Sequence, residues 1–116
     1  MGNNDFTSRK NFEGSISRGI TVVDFNASWC GPCKAQEPII NELGRTYDGE
    51  VTVSKVDIDA HRDLALWLGI QSIPTIIIFN AGEEVHRFIG VQTSATLEKA
   101  VNALLQNDES FASPLR

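Results

Sequence analysis

The chain has 116 residues, a formal net charge of −5 at pH 7 and a hydrophobic content of 41%. This size and composition fit one compact domain, and the negative charge argues against a surface that binds nucleic acid or anionic lipid. Residues 1–6 lack the basic and apolar regions of a secretion signal, and no apolar run approaches the ~20 residues of a membrane-spanning helix. We therefore expect a cytoplasmic protein with no membrane segment.

The start of the chain is weakly patterned. Residues 1–20 are mostly polar, with Phe12 and Ile16 four positions apart, and we expect a short strand or arm followed by a short helix. Residues 21–26 then predict a buried central strand, because their valine and phenylalanine side chains lead directly into turn-forming residues.

The middle of the chain predicts a helix, a strand and a second helix. The helix that follows the central strand is expected from Pro32 to about Tyr47, with an apolar stripe formed by Ile39, Ile40, Leu43 and Tyr47. Residues 51–58 alternate and are rich in β-branched side chains, which favours a strand. Asp59 is then expected to cap a short helix over 60–68 that Gly69 ends.

The last third predicts a hairpin and a final helix. Pro74 precedes an apolar strand over 75–79, and residues 84–89 are its expected hairpin partner. Ser94 is expected to cap a helix whose buried face carries Leu97, Val101, Leu104 and Leu105. Residues 107–116 are polar and are expected to form a loose tail.

These elements predict an α/β fold in the order βαβαββα, with a mixed central sheet and helices on both of its faces. Residues 1–106 are then one domain, and residues 107–116 are its polar tail.

Cys30 and Cys33 stand where the first strand meets the first long helix. Unpaired N–H groups and the positive end of the helix dipole favour a thiolate there, so Cys30 is the predicted nucleophile and Cys33, expected to be more enclosed, is the predicted resolving thiol. A four-residue ring would stabilise the fold by only roughly 2 kcal/mol through loop closure, which favours a redox couple over a structural staple. A zinc site needs four ligands, and only His61 and His86 accompany the pair, so we expect no metal.

Asp24 and Lys55 are the other candidate catalytic residues. Asp24 interrupts an apolar strand, and a buried, unpaired carboxyl group is costly and tends to stay neutral. It is either an aspartate that only accepts backbone hydrogen bonds or a general base for Cys33. Lys55 in the second strand is either its charge partner or a solvent-facing side chain.

The motif Trp29-Cys30-Gly31-Pro32-Cys33-Lys34 resembles the signature of the thioredoxin family. Further stretches fall in the family's order and spacing: Val23-Asp24-Phe25, Pro38, Lys55-Val56-Asp57, Gly69-Ile70, Ile73-Pro74-Thr75, Gly82-Glu83 and Gly90. The resemblance covers roughly residues 5–105. It implies the thioredoxin fold, a central mixed β-sheet flanked by helices on both faces.

The resemblance also implies a thiol–disulfide oxidoreductase that reduces protein disulfides, in which Cys30 attacks and Cys33, helped by Asp24, resolves. It implies a cis Ile73–Pro74 bond beside the cysteines and a substrate-contacting rim formed by Trp29, Gly31, Pro32, Ile73, Pro74, Gly90 and Val91. No bound cofactor is expected, because a thioredoxin reductase that draws on NADPH or ferredoxin would supply the electrons to a monomeric protein.

Some positions depart from the family pattern. Asn26 stands where many members have an aromatic residue, Gln36 and Glu37 make the first helix more polar, and Ser72 replaces a frequent glycine. These positions bear on partner choice. Two alternatives stay open at this point: a disulfide oxidase or isomerase in an oxidising compartment, and a thioredoxin-like binding subunit of a larger complex.

Overall fold

A computed structural model describes the backbone of residues 4–111 and the side chains of residues 9–106. This part of the chain contains four strands and four helices. In chain order they are α1 (Asn4–Ser15), β1 (Ile20–Asn26), α2 (Gly31–Thr46), β2 (Val51–Asp57), α3 (Arg62–Trp67), β3 (Thr75–Asn80), β4 (Glu83–Ile89) and α4 (Ser94–Phe111).

The strands form one mixed sheet in the order β2-β1-β3-β4. β1 pairs parallel with β2, and the pairs β1–β3 and β3–β4 are antiparallel. Parallel strands need a long crossover connection, and α2 supplies it between β1 and β2. The predicted mixed sheet is confirmed.

Each face of the sheet carries its own apolar core, because successive side chains of a strand point to opposite faces. On one face, Val22 and Ile76 are fully buried against Ile40 of α2 and Leu97 of α4. On the other face, the buried cluster consists of Phe12, Ile16, Val23, Phe25, Leu64, Ile77 and Phe79. The helices therefore lie on both faces, as predicted, and the predicted apolar stripes of α2 and α4 all contribute to the first cluster.

The first element differs from the prediction. The described backbone between residues 4 and 19 contains the helix α1 and no strand, whereas we expected a strand or arm before a short helix. Phe12 makes an edge-to-face contact with Phe79, with ring centroids 5.6 Å apart, and Ile16 belongs to the same buried cluster. Phe12 and Ile16, four residues apart and both buried, therefore pack the C-terminal end of α1 and the residue after it against the sheet. Residues 1–3 lie outside the described residues.

The predicted cap of α3 was wrong. The helix begins at Arg62 with His61 at the N-cap position, so Asp59 lies before it. The backbone carbonyl of Asp57 accepts from the N–H groups of Ala60 and His61, at 3.2 and 3.1 Å, and these turns delay the start of the helix. Gly69 ends it as predicted, with a positive φ of 70° that favours glycine.

The cap and the end of α4 also differ from the prediction. Thr93, and not Ser94, is the capping residue, because its Oγ1 accepts from the Thr96 N–H at 3.1 Å. The helix continues to Phe111, so the first part of the predicted tail is helical backbone. The rest of that tail, residues 112–116, lies outside the described residues.

Candidate active site

Cys30 and Cys33 form a disulfide at the junction of β1 and α2, with their Cα atoms 5.3 Å apart. A tight turn in which the Cys30 N–H donates to the Ala27 carbonyl, at 3.2 Å, brings the chain from the strand into the helix. Cys30 is the N-cap of α2, and its Sγ accepts from the Cys33 backbone N–H at 3.2 Å. The sulfur of Cys30 thus occupies the position where a helix start stabilises negative charge.

The predicted difference in enclosure between the two cysteines is not found. Both residues are only 5% exposed in the disulfide form, packed with Ala27 and the half-buried Ile58 and Ile73. The two cysteines differ instead in their hydrogen bonding, because only the Sγ of Cys30 accepts from the Cys33 N–H at the start of the helix.

The loop before β3 closes one side of the disulfide. The Ile73–Pro74 peptide bond is cis, as the resemblance implies, and the Ile73 carbonyl oxygen lies 3.9 Å from the sulfur of Cys30. Pro74 is buried, and its carbonyl accepts from the Gly90 N–H at 2.9 Å. Gly90 has a φ of 93°, a conformation that glycine adopts readily. These contacts bring the predicted rim residues of three separate segments to one place.

The remaining rim residues are exposed around the disulfide. Trp29 is 67% exposed and Val91 is 47% exposed, and Gly31 and Pro32 at the start of α2 are exposed as well. The indole Nε1 of Trp29 donates to Asp59 Oδ2 at 2.7 Å, which fixes the ring at the edge of the site. Asp59, predicted only as a helix cap, is therefore a site residue that sequence reasoning missed.

Asp24 is 1% exposed and lies in β1 directly beside Lys55 of β2. Burial raises the pKa of the Asp24 carboxyl from 3.8 to about 6, against the opposing charge of Lys55 and with a smaller contribution from Glu37 in the same direction. Its Oδ1 has no hydrogen-bond partner in the described part of the chain. A carboxyl group in this state can take up and release a proton near neutral pH.

Asp24 and Cys33 line the same pocket of about 340 Å³ beneath the active-site turn. Its other lining residues are Asn26, Ala27, Ser28, Lys34, Glu37 and Lys55. Lys55 Nζ lies 3.3 Å from Glu37 Oε2, and the lysine side chain is 40% exposed. Lys55 thus lines the pocket beside Asp24, is paired with Glu37 and also reaches solvent.

The positions that depart from the family pattern lie on the segments that form this site or next to them. Asn26 is half-buried, lines the pocket and donates through Nδ2 to the Asp24 carbonyl at 3.0 Å. Ser72 is exposed, and its carbonyl accepts from Thr75 Oγ1 at 2.6 Å. Gln36 is fully buried and bonds to the backbone of Gln92. Its spacing from Cys33, Ile40 and Leu43 was the available signal, since it puts a polar residue on the buried stripe.

Comparison with known proteins identifies the family. The thioredoxin family model matches residues 4–103. A thioredoxin of Staphylococcus saprophyticus is 40% identical over 91 residues, which are 78% of this chain and 88% of the relative. A thioredoxin of Chlamydia muridarum is 42% identical over 95 residues, covering 82% and 92% of the two chains. The chain belongs to the thioredoxin family.

The fold agrees with this assignment. A chain from a structural study of the thiol resolving mechanism in yeast mitochondrial 1-Cys peroxiredoxin, via glutathione/thioredoxin systems, superposes with a TM-score of 0.74. It is 30% identical, and the match covers 80% of this chain and 87% of that one. The family and the Cys30–Cys33 disulfide make the protein a thiol–disulfide oxidoreductase of the protein-disulfide reductase type.

Membership of the family implies a reductase partner and disulfide-bearing targets in general. Among the described residues, no group of three or more His, Cys, Asp and Glu side chains could hold a metal ion. The helices of residues 4–111 include none that is long and apolar enough to cross a membrane.

Proposed function

We propose that the protein reduces disulfides of other proteins by a two-step exchange in which Cys30 attacks and Cys33 resolves. The observation that carries this assignment of roles is the position of Cys30 Sγ at the N-cap of α2, where it accepts the Cys33 N–H. The same donor and the helix dipole stabilise a Cys30 thiolate once the disulfide is reduced.

In the first step the Cys30 thiolate attacks one sulfur of the target disulfide. The target S–S bond breaks, a mixed disulfide with Cys30 forms, and a target thiolate leaves. The half-buried Ile73 and the exposed Trp29 and Val91 surround the disulfide, so an extended target segment fits against them. Burial of their apolar surface supports binding of the target chain.

In the second step Cys33 transfers its thiol proton and attacks the sulfur of Cys30. The Cys30–Cys33 disulfide forms, and the second target thiolate leaves with the electron pair of the mixed disulfide. Asp24 is the proposed proton acceptor, because it shares the pocket with Cys33 and its pKa of about 6 suits proton transfer near neutral pH. Lys55 tunes Asp24 from the neighbouring strand.

Two electrons have then passed from the protein to the target, and a partner must return them. We propose a thioredoxin reductase linked to NADPH or ferredoxin as that partner, a monomeric state and a cytoplasmic location. No bound cofactor is needed for the exchange, since both electrons reside in the cysteine pair. Gly31 and Pro32 between the cysteines are the dipeptide of reducing members of the family.

Reduction of insulin by dithiothreitol tests the proposed activity. We expect the protein to accelerate the reaction well above the dithiothreitol blank, and Cys30→Ser to abolish the acceleration because the nucleophile is lost. A rate equal to the blank would contradict the proposal.

The reduction potential of the cysteine pair tests the direction of the reaction. We expect a value of about −270 mV, the potential known for thioredoxins. A value of about −120 mV, the potential of the bacterial disulfide oxidase, would instead support an oxidase. Full biological function of a variant with both cysteines changed to serine would support a binding subunit.

A further inference from the structure

Gln36 is the most completely buried of the polar side chains in the described part of the protein, with an exposure of 0%. It lies on α2 one turn beyond Cys33, on the face that otherwise contributes Ile40 and Leu43 to the core. Burying an unpaired amide costs free energy, so a buried glutamine needs partners for both its donor and its acceptor.

Both partners of the Gln36 amide belong to one residue. Its Nε2 donates to the Gln92 carbonyl at 3.1 Å, and its Oε1 accepts from the Gln92 N–H at 2.7 Å. The side chain thus pairs with the backbone of Gln92 as a neighbouring strand would. Because both bonds are made to main-chain atoms, they fix the path of the loop between β4 and α4.

The other end of the loop 90–92 is bonded to the cis-proline segment, which the proposed function assigns to the substrate rim. The Gly90 N–H donates to the Pro74 carbonyl at 2.9 Å, and the Gln92 side chain donates to the Gly90 carbonyl at 3.1 Å. Val91 lies between these anchors and is 47% exposed. A continuous set of hydrogen bonds therefore joins the redox helix α2, the loop 90–92 and the cis-proline segment.

We infer that Gln36 is a positioning residue that holds the loop 90–92 in the shape required by polypeptide disulfides, and that it thereby favours protein targets over small-molecule disulfides. This inference rests on the proposed function, because it assigns the loop to the substrate rim. Gln36 acts through the backbone of Gln92. With an apolar side chain at position 36, the Gln92 N–H and carbonyl lose their partners, and the loop must shift to find others.

The test compares Gln36→Met with Asn41→Met. Methionine has nearly the shape and helix propensity of glutamine but forms neither hydrogen bond. Asn41 is exposed on the same helix, and no described contact links it to the site, so Asn41→Met controls for an added methionine on α2. Each protein is assayed with insulin and with hydroxyethyl disulfide, which has no polypeptide chain.

For Gln36→Met we expect the KM for insulin to rise by about fivefold, the loss corresponding to roughly one net hydrogen bond, with kcat unchanged. The rate with hydroxyethyl disulfide should match the native protein, and Asn41→Met should be native with both substrates. Equal losses with both substrates, or no change in the KM for insulin, would overturn the inference. A native protein that fails to reduce insulin would instead defeat the proposed function.

Hydrogen exchange provides a readout that needs no activity. In the native protein the Gln92 amide should be protected, and in Gln36→Met it should exchange at least about tenfold faster while the amides of β1 stay unchanged. An unprotected Gln92 amide in the native protein would overturn the inference, whatever the variants do. If Gln36→Met does not fold, Gln36→Leu, which also forms neither hydrogen bond and is a good helix former, replaces it with the same expected results.

Discussion

Asp24 shows how one buried residue connects the fold with the chemistry. The strand that places it beside Lys55 also removes it from water, and the removal from water outweighs the lysine in setting its pKa. The sequence predicted a costly carboxyl group on this strand but left its role and that of Lys55 open. The pairing of Lys55 with Glu37 depends on the distance between α2 and β2, which no local pattern specifies.

The raised pKa of Asp24 predicts a pH dependence of stability. Its carboxyl titrates at 3.8 in the unfolded chain and at about 6 in the fold. Between these values the native state retains a proton that the unfolded state has released, so the free energy of unfolding falls as the pH rises. Asparagine does not titrate, so Asp24→Asn should not show this loss. The free energy of unfolding of Asp24→Asn relative to that of the native protein should therefore increase between about pH 4 and about pH 7, by at most about 3 kcal/mol.

Urea denaturation of the oxidised protein across this pH range measures the effect. Asp48→Asn is the matched control, because Asp48 is an exposed carboxylate outside the active site. Curves for the native protein and Asp24→Asn that stay parallel at every pH would show that burial does not raise the Asp24 pKa.

The cysteine pair and Gln36 show the two limits of prediction at this scale. The pair was recognised because its turn, helix start and proline are adjacent in the sequence. Gln36 was read only as a polar residue on α2, although its spacing from Ile40 and Leu43 put it on the buried stripe. Its partner Gln92 is distant in sequence, so the pairing required the fold.

At the scale of elements, all four strands and the helices α2, α3 and α4 were predicted, whereas the predicted caps of α3 and α4 were wrong. Thr93 and Ser94 are both good capping residues and are adjacent, so local preference could not choose between them. α1 was missed as a full helix because few apolar residues mark its buried face. Tertiary packing, such as the contact of Phe12 with Phe79, stabilises this helix although the sequence pattern does not indicate it.

The cap of α4 gives a prediction at this scale. Thr93→Ala removes the acceptor for the Thr96 N–H and should lower the free energy of unfolding by about 1 kcal/mol. Ser94→Ala, one residue inside the helix, should change it by less than about 0.5 kcal/mol. Denaturant unfolding of both variants measures the difference. A larger loss in Ser94→Ala than in Thr93→Ala would contradict the cap assignment.

At the scale of the molecule, the topology explains why the site lies at one end of the two central strands, β1 and β3. β1 and β2 run parallel, and β3 runs antiparallel to β1, so the end of β1 and the start of β3 meet there. The cysteine turn follows β1, and the cis-proline segment precedes β3. Helices packed on both faces hold these connections in place. The sequence order of elements predicted the mixed sheet and its two helical layers, whereas the order of the strands within the sheet required the structure.

The different roles of Cys30 and Cys33 are the central claim, and trapping of a mixed disulfide tests them most directly. Cys33→Ser, reduced and then mixed with insulin, should accumulate a covalent adduct that mass spectrometry places on Cys30. The reciprocal variant Cys30→Ser, treated identically, should accumulate little. An adduct on Cys33 in Cys30→Ser that forms as fast as, or faster than, the one on Cys30 would contradict the account.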